Sequence, residues 1–320
     1  MQRPSISVVI PHLNDPGGLR RCLMSLFAQA FDTRRVEIIV VDNGSTSLPV
    51  EIRSEFQGVV LAQEEEPGPG RARNRGVSVA TAPLIAFMDA DCVADRNWLA
   101  TIESAFADQA LEVAGGQVRI AMANPSRPTM LEAYESVFSY RQKHYIEKLG
   151  FSCGGNLAMR RSVFDRVGPF AGIEISEDRD WGQRATAMGV RTHFVPEMTV
   201  YHPPSKLLSE LYRRWDRHIS HDFARRPRGW VGRTNWILRA VAVLFSPIVE
   251  VPRTLPSAQL ATWRERYLVS VAIGKIRVHR AKRMLEQVFD PGRAVTSLDW
   301  NRPKSSRLHA SASEKQATLG

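Results

Sequence analysis

The chain has 320 residues, 43% of them apolar, enough for one large α/β domain with an appendage or for two modest domains around a real core. Its three cysteines, Cys22, Cys92 and Cys153, are odd in number and far apart in sequence; they exclude a disulfide framework, match no zinc spacing and suggest a reducing cytosol. The net charge of +10 is uneven: residues 1–204 carry 21 Lys and Arg against 24 Asp and Glu, residues 205–320 carry 22 against 9, and the basic last third points to an anionic partner, nucleic acid or an acidic membrane leaflet.

Ile6–Ile10 is a short apolar run followed directly by Pro11. It reads as a strand buried on both faces of a parallel sheet, not as a signal peptide. Gly17–Gln29 places Leu19, Leu23, Leu26 and Phe27 at helical spacing. Val36–Val41 is a second buried strand, closed by the turn cluster Asp42-Asn43-Gly44-Ser45. Val59–Ala62 reads as a third strand, Arg71–Ala80 as a helix, and Leu84–Met88 as a fourth strand ending in Asp89-Ala90-Asp91. This alternation predicts an α/β fold with a doubly wound, mostly parallel sheet and flanking helices. Ligands of such sheets bind beyond the carboxyl ends of the strands. The polar residues there, Asn14 and Asp15, Asp42, and Asp89 and Asp91, gather on one rim.

Trp98–Phe106 reads as a helix, Glu112–Ile120 as a strand, and Thr129–Leu149 as one long aromatic-rich helix. Gly154-Gly155-Asn156 reads as a turn, Ser162–Val167 and Glu177–Met188 as helices, and Val195–Tyr201 as a late strand ending at His202-Pro203-Pro204. A domain boundary is placed near residue 204. Beyond it, Leu207–Arg217 reads as a basic helix and Arg225–Arg233 as a basic loop. Trp236–Val251 is the most apolar stretch, shorter than the ~20 residues of a spanning helix and interrupted by Arg239 and Pro247. Ala258–Phe289 has the pattern of an amphipathic basic helix, with Leu268, Ala272, Ile276 and Leu285 on its stripe and Arg264, Lys275, Arg280 and Lys282 beside it. Residues 205–304 thus read as a basic helical extension and 305–320 as a disordered polar tail.

Four clusters carry chemistry, each with a plainer reading beside it. Asp89-Ala90-Asp91 offers hard oxygens that share a divalent cation and so neutralise a diphosphate leaving group, or is a turn with two solvated aspartates. Glu177-Asp178-Arg179-Asp180-Trp181 supplies a general base, or is an acidic first helical turn favoured by the helix dipole. Pro67–Gly76 leads glycines into Arg71, Arg73 and Arg75, a phosphate-binding approach to a helix or an ordinary basic loop. His202 is a metal ligand or a capped surface histidine.

In order and spacing these pieces resemble the family-2 glycosyltransferases, which share the GT-A nucleotide-diphosphosugar transferase fold. The resemblance rests on Ser7-Val8-Val9-Ile10-Pro11 with Asn14, Val40-Val41-Asp42-Asn43-Gly44-Ser45, and Gly70 with Ala72-Arg73-Asn74 and Gly76. It continues through Phe87-Met88-Asp89-Ala90-Asp91, Gly155-Asn156 with Arg160-Arg161, Val167-Gly168-Pro169-Phe170, and Glu177-Asp178 with Asp180 and Arg184, spanning residues 5–204. It implies transfer of a sugar from a nucleotide diphosphate, UDP by family habit, to an acceptor hydroxyl with inversion. By the same resemblance Pro11 and Asn14 border the nucleoside pocket, Asp42 holds the base, and Arg73 grips base or diphosphate. Asp89 and Asp91 hold the sugar nucleotide and a Mn²⁺ or Mg²⁺ ion, Asp91 more directly, with His202 near the metal. Asp178 is the implied general base with Glu177 beside it. Gly155 and Asn156 line the acceptor side, and Trp181, where an aliphatic residue is usual, alters the acceptor pocket. Leu13 stands where relatives often carry a base-stacking aromatic.

The basic extension suggests peripheral attachment to the inner face of the plasma membrane, with Trp230, Trp236 and Trp263 at the interface, or else packing of the apolar stretch on the main domain. The expected enzyme is cytoplasmic, and its acceptor a saccharide or lipid-linked saccharide of cell-surface polysaccharide or glycolipid synthesis. No nucleic-acid-binding motif accompanies the basic tail, so no nucleic-acid partner is expected. A non-catalytic scaffold of the same fold and a nucleotidyltransferase are the alternatives. The first has no need of Asp91 or Asp178, and the second usually carries a lysine-containing glycine-rich loop that Gly17-Gly18 lacks.

Overall fold

The computed structural model describes residues 4–289 apart from 225, 228 and 258, so the expected tail at 305–320 and the extension beyond 289 lie outside the described residues. The strands are β1 (Ile6–His12), β2 (Val36–Asp42), β3 (Val60–Gln63), β4 (Leu84–Met88), β5 (Val93–Ala94), β6 (Val113–Ile120), β7 (Asn156–Arg160) and β8 (Thr192–His202). The helices are α1 (Pro16–Phe27), α2 (Ile52–Glu55), α3 (Pro69–Val79), α4 (Trp98–Ala105), α5 (Met130–Phe138), α6 (Gln142–Leu149), α7 (Arg161–Val167) and α8 (Glu177–Ala187). Beyond residue 204 follow α9 (Leu208–Ala224), α10 (Trp230–Phe245), α11 (Pro247–Thr254) and α12 (Trp263–Phe289).

All the strands join one sheet in the order β3-β2-β1-β4-β7-β6-β8-β5. β3, β2, β1 and β4 run parallel, as do β6 and β8. β7 enters antiparallel between β4 and β6, and β5 lies antiparallel on β8. The alternation of side chains explains why the first strands carry apolar residues on both faces. Val8 and Ile10 face α1 and α4, meeting Leu19, Leu23, Trp98 and Ile102, whereas Val9 faces Ala72 and Val77 of α3.

The structure departs from the sequence reading in several places, among them residues 230–233, which open α10 rather than close a basic loop. Gly154-Gly155-Asn156 leads into a strand, β7, whose five residues were too few and too polar at the ends to stand out. The long helix expected over Thr129–Leu149 is two: α5, capped by a Thr129–Glu132 capping box, ends before Tyr140, which takes φ 50. The apolar stretch at Trp236–Val251 is divided between α10 and α11, bent by 44° at the junction. Among the described residues no single helix is long and apolar enough to cross a membrane.

The extension has its own core. α9, α10 and α12 bury Ile219, Phe223, Trp236, Ala240 and Met284 together. Trp236, expected at a membrane interface, is instead 4% exposed, with its ring 5.3 Å from that of Phe223 and its Nε1 donating to the Met284 carbonyl at 3.0 Å. α5 shares a second cluster with α9 and α12 through Leu131, Tyr134, Leu211, Val269 and Ile273. A helix on the near side of the boundary expected at 204 thus packs with helices on the far side.

Candidate active site

Strand register assembles the rim. His12 closes β1 opposite Asp42, the last residue of β2. Met88, directly before Asp89, pairs with Asn156. Because β7 is antiparallel, its first residues arrive at the carboxyl end of the parallel strands. β8 ends at His202, beside the β5 strand that follows closely on Asp91.

Asp42 is buried and both its oxygens are used: Oδ1 lies 3.0 Å from His12 Nδ1, and Oδ2 accepts from the Ser45 amide at 3.0 Å. The Asp15 amide donates to His12 Nε2 at 3.3 Å, so Nδ1 carries the proton and donates to Asp42. Asn14, at φ 53, accepts from the Thr46 amide at 2.9 Å and donates its own amide to Ser45 Oγ at 2.9 Å, stitching together the loops that follow β1 and β2. Pro11 lies half-buried beside Val41. His12 escaped the sequence reading, although a polar ring ending an apolar strand is a readable signal.

Arg73 sits at the centre of the rim, 3% exposed, donating to Asp89 Oδ1 and to Glu177 Oε1, each at 2.8 Å. A Cβ on Gly154 would lie 2.5 Å from Arg73 Cζ, and one on Gly155 would run into Asp89 Oδ2. The paired glycines let this ion pair lie directly on the backbone. Burial alone would lower the Arg73 pKa, but Asp89 and Glu177 hold the guanidinium above its usual value. Burial likewise pushes the Asp89 carboxyl up, against the pull of Arg73. Arg73, expected to grip the base or diphosphate, thus spends two donors tying Asp89 to Glu177.

Asp91 Oδ2 lies 3.3 Å from His202 Nε2, and Asp91 Oδ1 is buried with no hydrogen-bond partner among the described residues. His202 Nδ1 lies 2.6 Å from the Pro203 carbonyl, which can only accept, so Nδ1 carries a proton and Nε2 is presented to Asp91. Burial alone would raise Asp91 and lower His202. Their mutual hydrogen bond and charge reverse both, holding Asp91 below and His202 above the ordinary values. Asp89 turns to Arg73 rather than to this pair. Among the described residues no group of three His, Cys, Asp or Glu side chains is placed to hold a metal by itself.

Glu177 and Asp178 open α8, where the helix dipole favours carboxylates. Glu177 is held by Arg73, and Asp180 by Arg184 at 2.9 Å. Asp178 has no such ion pair among the described residues; it accepts from the adjacent Arg179 amide at 2.7 Å. Burial, then the negative charge of Glu177, pushes its carboxyl up to about 6, against the pull of Arg73.

Asn156 and Trp181, expected on the acceptor side, are core residues. Asn156 donates to the carbonyls of Gln117 at 2.9 Å and Met198 at 2.7 Å, and accepts from Trp98 Nε1 at 2.9 Å. Trp181 donates to the Gly168 carbonyl at 2.9 Å and packs on Phe170. Neither side chain has surface to offer a ligand. Asn156→Ala is therefore expected to strand three buried partners and cost ~2–4 kcal/mol of stability, read as a lower melting temperature. A variant that melts like the wild type but loses acceptor affinity would restore the acceptor role.

Three further residues reach the rim from outside the predicted clusters. Tyr140, in its left-handed conformation, stacks 4.7 Å from the His202 ring and lies beneath Arg214, 5.6 Å away. Arg214 is itself held at 3.1 Å by the fully buried Glu135. Arg217, one turn further along α9, lies in the field of Glu177 and Asp178, and burial pulls its pKa below the usual value. No local spacing in the sequence links α9 to Glu135, Tyr140, Glu177 or Asp178.

A family model described as Glycosyl transferase family 2 matches residues 7–168, just over half of the chain. This chain is a family 2 glycosyltransferase. The family-2 transferase is 31% identical over 219 residues to glycosyltransferase AglE of Haloferax volcanii, covering 66% of this chain and 71% of AglE. It is 26% identical over 315 residues to the pre-mycofactocin glycosyltransferase of Mycobacterium tuberculosis, covering 89% of this chain and 59% of that protein. Among solved structures it resembles the mannosyltransferase PcManGT from Pyrobaculum calidifontis in complex with GDP-Man and Mn²⁺, with a TM-score of 0.57 at 18% identity over 91% of this chain and 88% of that one. It also resembles residues 1–349 of S. aureus TarS in complex with UDP-GlcNAc, with a TM-score of 0.50 at 16% identity over 90% and 92% of the two chains. The fold is GT-A, as the sequence resemblance implied.

Proposed function

We propose that this glycosyltransferase moves one sugar from a nucleoside diphosphate, UDP by family resemblance, onto a hydroxyl of a saccharide or lipid-linked saccharide, with inversion. The observation that carries the reading is Asp178, a rim carboxylate with no ion-pair partner among the described residues and a proton affinity raised close to neutral pH. A general base works best with such a pKa. Asp178 takes the acceptor hydroxyl proton as the acceptor oxygen bonds to the anomeric carbon. The bond from that carbon to the diphosphate breaks on the opposite face, and its electron pair leaves with the diphosphate. Arg73 keeps Asp89 and Glu177 in register around this reaction, and the His12–Asp42 pair shapes the nucleoside end.

The residues also fit a divalent cation. Asp91 has a buried oxygen without a partner among the described residues, and His202 presents Nε2 beside it while a carbonyl holds its other nitrogen, as commonly fixes the ring of a histidine ligand. Mg²⁺ and similar ions take one or two protein ligands and complete their shell with substrate phosphates, which suits a two-residue site. A bound Mn²⁺ or Mg²⁺ supplies charge neutralisation at the departing diphosphate.

Thermal melts with UDP and GDP, each with and without Mn²⁺, test the donor site. The cognate nucleotide at 100 times its Kd should add ~2.7 kcal/mol of stability, with metal dependence lost in Asp91→Ala. If no nucleotide moves the melt under any metal condition, the donor assignment fails.

A further inference from the structure

α10 is apolar on two opposite sides. Gly232, Trp236 and Ala240 are buried on one of them. On the other, Val231, Leu238, Val241, Phe245 and, in α11, Ile248 recur at helical spacing, between 44% and 72% exposed. An exposed apolar stripe of this kind marks a contact with protein or lipid, and no described residue covers this outer face. Leu244 carries the apolar surface into a groove of about 530 Å³ shared with Val278, Leu285 and Phe289 of α12.

Charge indicates what lies against it. Exposed Arg233 and Arg239 flank the stripe along α10, Arg253 follows it in α11, and Lys275 and Lys282 are exposed on α12. The nearby carboxylates are already answered: Asp222 by Arg239 at 2.8 Å, Glu250 by Arg277 and Glu286 by Arg283, each at 2.5 Å. Arg239 and Lys282 are in turn tied to Asp222 and Glu286, which leaves Arg233, Arg253 and Lys275 as exposed cations with no carboxylate partner among the described residues, and the rim basic. A second copy of the chain would bring the same rim and be repelled. An anionic leaflet offers acyl chains to the stripe and opposite charge to the rim. Trp230 and Trp263, both more than three-quarters exposed, have the amphipathic rings that settle at headgroup level.

We propose that α10 and α11 form a docking surface that lays the Leu238–Val241–Phe245–Ile248 stripe into the interface of an anionic membrane leaflet. The bent α10–α11 pair has the length and composition of a broken span. One side of α10, however, stays packed on α9 and α12, and Arg239 is tied to Asp222 on its flank, so the pair lies on the leaflet rather than through it. α9, which brings Arg214 and Arg217 to the catalytic rim, packs against these helices, so docking holds the rim near the membrane surface. The docking does not depend on the proposed transfer reaction, and its test uses binding alone.

The test is flotation of the full chain with vesicles of phosphatidylcholine alone or mixed equally with phosphatidylglycerol. The wild type should float with the anionic vesicles, less with neutral ones, and less again at high salt. Leu238→Ser/Phe245→Ser/Ile248→Ser should cut partitioning by about tenfold or more with an unchanged melting temperature, because these side chains already face outward. Should the triple variant misfold, Ile248→Glu alone should show the same direction of loss. Wild-type protein that does not float, or variants that float equally well, would overturn the proposal. So would a dimer in solution that the variants dissociate, or protein that resists alkaline extraction from the vesicles, which would mark a self-interface or a true span.

Discussion

Asp178→Asn is expected to lose transfer by ~10²–10⁴-fold in kcat while leaving donor binding intact and making the protein harder to unfold. The two effects share one cause. Burial and Glu177 lift the Asp178 carboxyl from its ordinary 3.8 to about 6, so in the folded protein the charged form is the disfavoured one. As pH falls through this window the native state takes up the proton before the unfolded chain does. The group therefore costs nothing below about pH 4, and its charge destabilises the fold increasingly as pH rises to 6 and above. Removing that charge should return about 1–3 kcal/mol at pH 7 and almost nothing at pH 4. The wild-type rate should fall on the acid side with an apparent pKa near 6, since a protonated carboxyl accepts no proton. Paired denaturation curves at the two pH values and a pH–rate profile check this. An Asn variant that keeps full turnover would remove Asp178 from the chemistry, and one that is less stable at pH 7 would show that its charge was satisfied.

Arg73→Ala should be the most damaging single change at the rim, costing ~3–5 kcal/mol and abolishing donor binding. The guanidinium is buried with one nitrogen on Asp89 and another on Glu177, so its loss leaves two carboxylates crowded together without a cation. Arg73→Lys should not rescue it, because a single ammonium lacks the planar fork that reaches both partners. Adding Glu177→Gln to Arg73→Ala should recover part of the stability but none of the activity, a coupling that chemical denaturation of the double-mutant cycle reads directly. A loss below ~1 kcal/mol in Arg73→Ala would mean that the bridge contributes little to the fold.

The general shape of the site was legible in the sequence for local reasons. Apart from Ser7 and Glu37, Ile6–Ile10 and Val36–Val41 are apolar on both alternating sides, and only a strand covered on both faces needs that. Once they are strands, Asp42 and Asp89 must emerge at carboxyl ends, which is where such sheets bind ligands. The order of motifs added the family, and the match over residues 7–168 agrees with it.

Which polar groups meet was a different matter. Asp91 and His202, Arg73 and Glu177, and Tyr140 and Arg214 are each far apart along the chain, and nothing local in either partner names the other. They meet because β7 enters antiparallel beside β4 and delivers two glycines to the rim, and because β8 ends next to β5. The same strand carries Asn156 inward, and Trp181 turns into the core beneath α8, so two residues read as acceptor contacts became packing. On α10 the sequence supplied apolar residues for two sides, but only the docking of Trp236 against α9 and α12 decided which of them face outward. Sequence by itself therefore determined the parallel half of the sheet, its rim of carboxylates and the family. The tertiary structure decided the partner of each charge and the outer face of the extension, because those depend on strand register and helix docking, which form only when distant segments pack.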